Sequence, residues 1–182
     1  MKRISSRRVH SSMNTALRRR SFSAIVIALA MLGGYVYQEL TPQIAARGRE
    51  TTVHDGDTLT VQGKRIRLQG VDAPELHQTC RLEGRTWACG QEAKRYLEQL
   101  VAGQEITCTD ESTDKYGRGL SYCSAGEINL NAAMVRAGYA LAYRQYDKRF
   151  INDEDEAHMA KAGIWAGSFE APWDWRKKHS GR

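Results

Sequence analysis

The alternation of apolar and polar residues predicts two β-hairpins in the middle of the chain. Residues 57–62 and 64–71 alternate on either side of Gly63 and are rich in β-branched side chains, which is typical of two strands joined by a tight turn. Residues 106–109 and 120–124 have the same character and predict a second hairpin. These segments indicate a fold built mainly from strands.

Helical periodicity predicts three helices around these hairpins. In residues 91–102 apolar side chains recur at three- and four-residue intervals, so one face would be buried. A second helix is predicted near residues 130–137, and a third over residues 152–163, where four acidic residues suit the positive end of the helix dipole. The order of elements indicates an α+β fold, mainly β, of the kind found in small OB-like barrels with added helices.

The first fifty residues have a different composition. Residues 1–20 carry seven Lys or Arg and no acid, and residues 21–37 are apolar and uncharged. This pattern predicts a signal peptide or signal anchor, with the rest of the chain periplasmic, extracellular or held outside the cytoplasmic membrane. The apolar run is short for a spanning helix and lacks a clean cleavage pattern, so cleaved and anchored forms both remain open.

The remaining boundaries follow from composition. Residues 38–50 read as a linker, residues 51–175 as the folded domain and residues 176–182 as a basic tail. The whole chain of 182 residues has a formal net charge of +6. Residues 1–50 contribute +7, however, which leaves −1 for residues 51–182. Any affinity of the domain for nucleic acid must therefore come from a local cationic patch.

Four cysteines lie in the part expected to be exported. An even number in an oxidising compartment favours disulfides, and no Cys-x-x-Cys spacing of a zinc site is present. We favour a bond between Cys80 and Cys89 within one loop and a bond between Cys108 and Cys123 across the second hairpin. Four free thiols are the alternative.

Candidate chemistry begins with carboxylates at strand ends. Asp57 lies in an Asp-Gly-Asp-Thr segment before the first strand, and Asp72 and Glu75 follow the second strand of that hairpin. Hard oxygen ligands without histidine favour Ca²⁺ or Mg²⁺. An EF-hand is excluded because a twelve-residue loop begun at Asp55 would end on Ile66 instead of a glutamate.

Two arginines could add a phosphate site. Arg118 lies in the glycine-bracketed turn of residues 113–120, and Arg67 lies five residues before Asp72. Residues an odd number apart on a regular strand face opposite sides, so a shared site requires a break between them. We expect that break at Gly70.

The segments DGDT (residues 55–58), RLQGVDAPE (residues 67–75) and TDKYGRGL (residues 113–120) together resemble the staphylococcal nuclease (thermonuclease) family. The similarity covers roughly residues 51–166. It implies a five-stranded OB-like barrel with about three helices. It also implies Ca²⁺-dependent hydrolysis of phosphodiesters in DNA and RNA.

The resemblance also implies roles for individual residues. Asp57, Asp72 and the Ala73 backbone carbonyl would bind calcium, and Asp55 would lie in the outer shell. Glu75 would act as general base, and Arg67 and Arg118 would hold the phosphate. The remaining implied positions, which contact the nucleotide, are Lys115, Tyr116 and Tyr143, the last after a one-residue gap.

The sequence differs from the family pattern in two places that bear on the substrate. The stretch from Glu75 to Ala93 is longer than in the family's best-known member and contains two cysteines and Trp87, so access to the site would differ. The tail over residues 172–178 mixes aromatic and basic residues, which favours packing of its tryptophans onto the barrel over a grip on nucleic acid.

Three functional classes remain at this level. A monomeric, exported nuclease is expected, with the membrane as a second partner if the N-terminal segment is uncleaved. A non-catalytic OB-type nucleic-acid-binding module is one alternative. A membrane-tethered envelope protein with a substrate other than nucleic acid is the other.

Overall fold

The computed structural model describes residues 51–179, apart from the side chains of Asp110 and Glu111, so the predicted signal or anchor lies outside the described residues. The strands in chain order are β1 (Thr51–Val53), β2 (Thr58–Val61), β3 (Lys64–Leu68), β4 (Val71–Asp72), β5 (Cys80–Leu82), β6 (Arg85–Trp87), β7 (Ile106–Thr113), β8 (Gly119–Ala125), β9 (Ile128–Asn129) and β10 (Leu141–Ala142). The α-helices are α1 (Cys89–Val101), α2 (Leu130–Arg136), α3 (Ile151–Met159) and α4 (Pro172–His179), and a 3₁₀ turn spans Gly163–Ala166.

The main sheet has six strands. Its order is β1-β2-β3-β8-β7, with β9 paired to β8, and all pairs are antiparallel except β3 with β8. Within residues 51–179 the outer strands β1 and β7 do not pair with each other, so the sheet is not the closed five-stranded barrel that the resemblance implied. The architecture is mixed α+β, mainly sheet, and is consistent with an OB-like fold.

Both predicted hairpins and all three predicted helices are confirmed. The hairpins are β2–β3 and β7–β8, and the helices are α1, α2 and α3. The fourth helix, α4, was not predicted, because its eight residues show no strong apolar periodicity. No helix in the described part of the chain is both long and apolar enough to cross a membrane.

The main core lies between the sheet and helices α1 and α2. Leu59 and Leu68 from the first hairpin, Leu97 from α1, and Leu130 and Met134 from α2 are all fully buried in one cluster. Burying a side chain of this size contributes about 1.5–3 kcal/mol relative to exposure. This core fixes β2, β3 and α1 relative to one another and therefore holds the strand ends that carry the candidate site.

Disulfides join Cys80 to Cys89 and Cys108 to Cys123, as the sequence predicted. The first bond encloses the small hairpin β5–β6 and belongs to a second apolar cluster. In this hairpin, the backbone of Arg81 pairs with that of Ser168, with N–H to carbonyl distances of 2.8 and 2.9 Å. The disulfide-bonded hairpin thus anchors the segment that leads into α4.

Candidate active site

The strand register brings residues from three segments together. Thr58 on β2 is opposite Arg67 on β3, and Arg67 is opposite Leu120 on the parallel strand β8. Since Asp57 precedes β2 and Arg118 precedes β8, both lie beside Arg67 at the same end of the sheet. The Asp-Gly-Asp-Thr segment and the Thr113–Leu120 turn therefore lie on either side of β3.

Asp57 is buried, and both oxygens of its carboxylate accept hydrogen bonds. Its Oδ1 accepts hydrogen bonds from Arg67 Nη1 at 2.8 Å and from the Thr58 hydroxyl at 3.0 Å, and its Oδ2 accepts one from the Ala73 backbone N–H at 3.1 Å. Burial raises the pKa of Asp57, while the Arg67 guanidinium opposes the rise. Gly56 is required beside it, because a Cβ there would lie 2.7 Å from the Ala73 Cβ.

Arg67 also binds Asp72, whose side chain is fully buried. The Arg67 Nη2 to Asp72 Oδ1 distance is 2.5 Å. The predicted break in alternation is present: β3 ends at Leu68, Gly70 has a φ of +75°, and Asp72 belongs to β4, which pairs with β10. Both side chains consequently face the same site although they are an odd number of residues apart.

Arg118 is oriented by its own turn. Asp114 Oδ2 accepts hydrogen bonds from Arg118 Nε and Nη2, both at 2.7 Å, and Asp114 Oδ1 accepts from the backbone N–H groups of Tyr116 and Arg118. Burial, the largest single influence, would raise the pKa of Asp114, but these hydrogen bonds together lower it below its ordinary value. The turn therefore presents the guanidinium in a fixed direction.

Glu75 is held by its backbone. Its N–H donates to Gln78 Oε1 at 3.1 Å, its carbonyl accepts from the Gln78 N–H at 2.7 Å, and the buried Gln78 amide donates to the Glu170 carbonyl at 2.7 Å. A Cβ at Gly90 would lie only 1.8 Å from the Glu75 carbonyl oxygen, so the start of α1 packs directly on this backbone. Gln78 is a site residue that sequence reasoning missed.

Arg176 on α4 reaches the same carboxylates. Its Nη1 donates to Asp72 Oδ1 at 2.9 Å and to Glu75 Oε1 at 2.8 Å, and its Nη2 donates to Asp72 Oδ2 at 2.7 Å. These ion pairs raise the pKa of the guanidinium further above its ordinary value, against the effect of burial. Sequence reasoning missed this role as well. In the sequence Arg176 looks like the neighbouring lysines, and only the docking of α4 shows that it is the cation that reaches the carboxylates.

An open pocket of about 960 Å³ is lined by Asp57, Arg67, Glu75, Arg118 and Arg176, while Asp72 and Gln78 are buried behind it. The three positions predicted to contact the nucleotide, Lys115, Tyr116 and Tyr143, also line it. Tyr116 is 72% exposed at the rim, and Tyr146, which was not predicted, is 70% exposed. Tyr143 lies deeper, stacked on Trp173 with ring centroids 5.6 Å apart and an interplanar angle of 2°. Asp55 lies in the wall, and its Oδ1 accepts a hydrogen bond from the Asp57 N–H at 3.0 Å.

The carboxylates suit a hard divalent cation by their chemistry. Asp57, Asp72 and Glu75 supply oxygen ligands of the kind that Ca²⁺ prefers. Within residues 51–179, no three Asp, Glu, His or Cys side chains are arranged to hold a metal ion, and arginine guanidinium groups contact these oxygens instead. In this structure the guanidinium groups of Arg67 and Arg176 therefore balance these carboxylates.

Comparison with known proteins agrees with the residues that meet in this pocket. The family model described as "Staphylococcal nuclease homologue" matches residues 65–167, which is more than half of the chain. The chain belongs to the staphylococcal nuclease family. Membership supports nuclease activity in general, and nucleic acid as the substrate class.

Curated relatives from this nuclease family cover most of the chain. It is similar to the "Micrococcal nuclease" of Shigella flexneri, with 35% identity over 72% of this chain and 80% of that protein. It is also similar to an "Uncharacterized endonuclease" of Escherichia coli O157:H7, with 36% identity over 72% and 85% of the two chains. "Protein ParB" of Escherichia coli is 30% identical over 91% of this chain and 98% of its own length.

Proposed function

We propose that this protein is an exported, calcium-dependent nuclease that hydrolyses DNA, RNA or both by attack of water on the phosphodiester. The observation that carries the proposal is the convergence of Arg67, Arg118, Asp57 and Glu75 on one open pocket, with the buried Asp72 bonded to Arg67 behind them. Family membership supports the class of reaction. The metal, the compartment and the residue roles are the finer parts of the proposal.

Arg67 and Arg118 would hold the phosphate. A phosphodiester anion repels an attacking hydroxide, and charge grows on the non-bridging oxygens as the pentacoordinate transition state forms. Two planar guanidinium groups can each offer paired N–H donors to those oxygens. Both side chains are largely buried and already oriented by carboxylates, so little reorganisation is needed at the moment of reaction.

Asp57, Asp72 and the Ala73 carbonyl would hold calcium, with Asp55 behind them. When bound, the ion would supply positive charge to the phosphate and lower the pKa of a bound water. Glu75 would act as general base on the attacking water. Its side chain is 32% exposed, so it lies within reach of solvent, and its backbone is fixed by Gln78.

The nucleotide would extend along the tyrosine-lined side of the pocket. Lys115 lies beside the Tyr116 ring, with its Nζ 5.0 Å from the ring centroid, so a cation and an exposed aromatic face occur together. Such a pair can contact a phosphate and stack on a base. Tyr143 would support the base from deeper in the pocket.

Export is supported by the two disulfides. Such bonds persist in oxidising compartments and are rare in the cytosol. The basic and apolar N-terminal residues also favour export. We therefore propose a periplasmic or extracellular location, or attachment to the cytoplasmic membrane with the domain outside.

The test is degradation of single- and double-stranded DNA and RNA by the purified, oxidised full-length chain. Degradation should require calcium, stop with a chelator and resume when calcium is restored. An Arg118→Ala protein purified in parallel controls for contaminating nucleases. Binding of nucleic acid without cleavage, with calcium present, would favour the non-catalytic module instead.

A further inference from the structure

Helix α4 places the Arg176 guanidinium on two of the candidate metal ligands. Arg176 contacts both oxygens of Asp72 and one oxygen of Glu75, at 2.7 to 2.9 Å. Asp72 is fully buried, and the Arg176 side chain is 35% exposed. The guanidinium therefore covers, from the solvent side, the carboxylate proposed to bind calcium and the carboxylate proposed to activate water.

Two guanidinium groups already occupy the oxygens of Asp72. Arg67 on β3 donates to Asp57 and to one oxygen of Asp72. Arg176 supplies the second positive charge from α4. Unlike Arg67, Arg176 donates to both oxygens of Asp72 and also to Glu75, so it occupies the side of Asp72 from which a metal ion would approach. A metal ion could therefore bind Asp72 from this side only after Arg176 moves away.

The same helix covers a second part of the pocket. Trp173 stacks in parallel on Tyr143, and the other aromatic neighbour of Tyr143 is the edge of Tyr146, with centroids 4.7 Å apart. A nucleobase cannot stack on the face of Tyr143 that Trp173 occupies. Helix α4 therefore contacts both the carboxylates and the aromatic wall at once.

We propose that α4 is an internal inhibitor, in which Arg176 occupies the cation position and Trp173 an aromatic subsite until calcium displaces the helix. The inference rests on the proposed function, since it concerns the same metal site. It explains why the proposed base, Glu75, is paired with a guanidinium in this structure. An eight-residue helix is marginal in water without packing, so displacement of α4 would also unfold it.

Calcium titration calorimetry on the full-length chain tests the inference without relying on activity. Arg176→Gln should bind calcium about tenfold more tightly than the wild type. Lys177→Gln is the matched control, because it removes the same charge from the next residue, whose ammonium pairs with Asp174 on the same helix. The control should change the calcium affinity less than about twofold.

The titration distinguishes a failure of this inference from a failure of the proposed function. Equal affinities of the wild type and Arg176→Gln would overturn the inference and leave the proposed function intact, and weaker binding by Arg176→Gln would do the same. No calcium binding by any of the three proteins would overturn the metal part of the proposed function and this inference with it.

Hydrogen exchange on the wild type gives a second measurement that needs no variant to fold. Addition of calcium should speed the exchange of backbone amides in residues 172–179, while amides of helix α1, which packs one face on the main core, stay protected. Unchanged or slower exchange in residues 172–179 under saturating calcium would overturn the inference.

Discussion

Arg118 Nη1 lies 3.3 Å from the hydroxyl oxygen of Thr58, 60 positions earlier in the chain. This contact joins the turn of the β7–β8 hairpin to the strand that follows the Asp-Gly-Asp segment. Thr58 also donates to Asp57 Oδ1, so the arginine proposed to bind phosphate is linked through Thr58 to a carboxylate proposed to bind calcium.

Replacement of Arg118 by alanine is expected to lower kcat by on the order of 10²-fold or more, because a preorganised charge contact to the transition state is lost. The fold should be little affected, since Asp114 can be solvated at the rim. Steady-state kinetics on a defined oligonucleotide measures the effect. Arg95→Ala, on the exposed face of α1 and paired with Glu92, is the control and should keep full activity.

Replacement of Arg67 by alanine is expected to lower kcat to a similar extent but also to destabilise the protein. It leaves Asp57 and Asp72 buried with fewer partners, and breaking a buried ion pair in this way costs about 3–5 kcal/mol. Urea unfolding of both variants separates the two roles. A stability of Arg67→Ala equal to that of Arg118→Ala would contradict this distinction.

Glu75→Gln is expected to remove most activity while calcium binding stays detectable. The amide cannot accept the proton of the attacking water, whereas Asp57 and Asp72 still offer their oxygens to the ion. Activity assays and calorimetry on the same preparation provide the comparison. Near-normal turnover would remove Glu75 from the role of base.

The Asp114→Asn variant is expected to show a stability deficit that depends on pH. The pKa of Asp114 is lowered in the folded state, so its carboxylate stabilises the fold above the unfolded pKa of about 3.8, and this contribution is lost as pH falls through the lower folded pKa. Melting temperatures of wild type and variant should differ at pH 7 and converge toward pH 3. A constant difference over this range would count against the linkage.

Serine replacement of both Cys108 and Cys123 is expected to lower the free energy of unfolding by about 3 kcal/mol. The bond closes a loop with a sequence separation of 15, and the cost follows from the freedom regained by the unfolded chain. Urea unfolding under oxidising conditions measures it. In a reducing buffer the difference between the two proteins should largely disappear.

Local patterns were sufficient to predict the hairpins, three helices, both disulfides and the break at Gly70. Each of these depends on residues close in sequence or on a rule of strand geometry. The open edge between β1 and β7 was not predictable, because strand closure depends on the packing of the whole sheet. Arg176 and Gln78 were missed for a related reason: the contact of Arg176 with Glu75 and that of Gln78 with the Glu170 carbonyl depend on how distant segments dock.

The pairing of Arg81 with Ser168 ties the cysteine-containing insertion to the end of the chain. Without the β5–β6 hairpin, the segment before α4 would lose the strand with which it pairs. We then expect Arg176 no longer to be held beside Asp72. The insertion and helix α4 are therefore one structural unit in this protein. Family members that lack the hairpin are expected to lack an arginine equivalent to Arg176, and a survey of relatives for paired gain and loss of the two segments would show it.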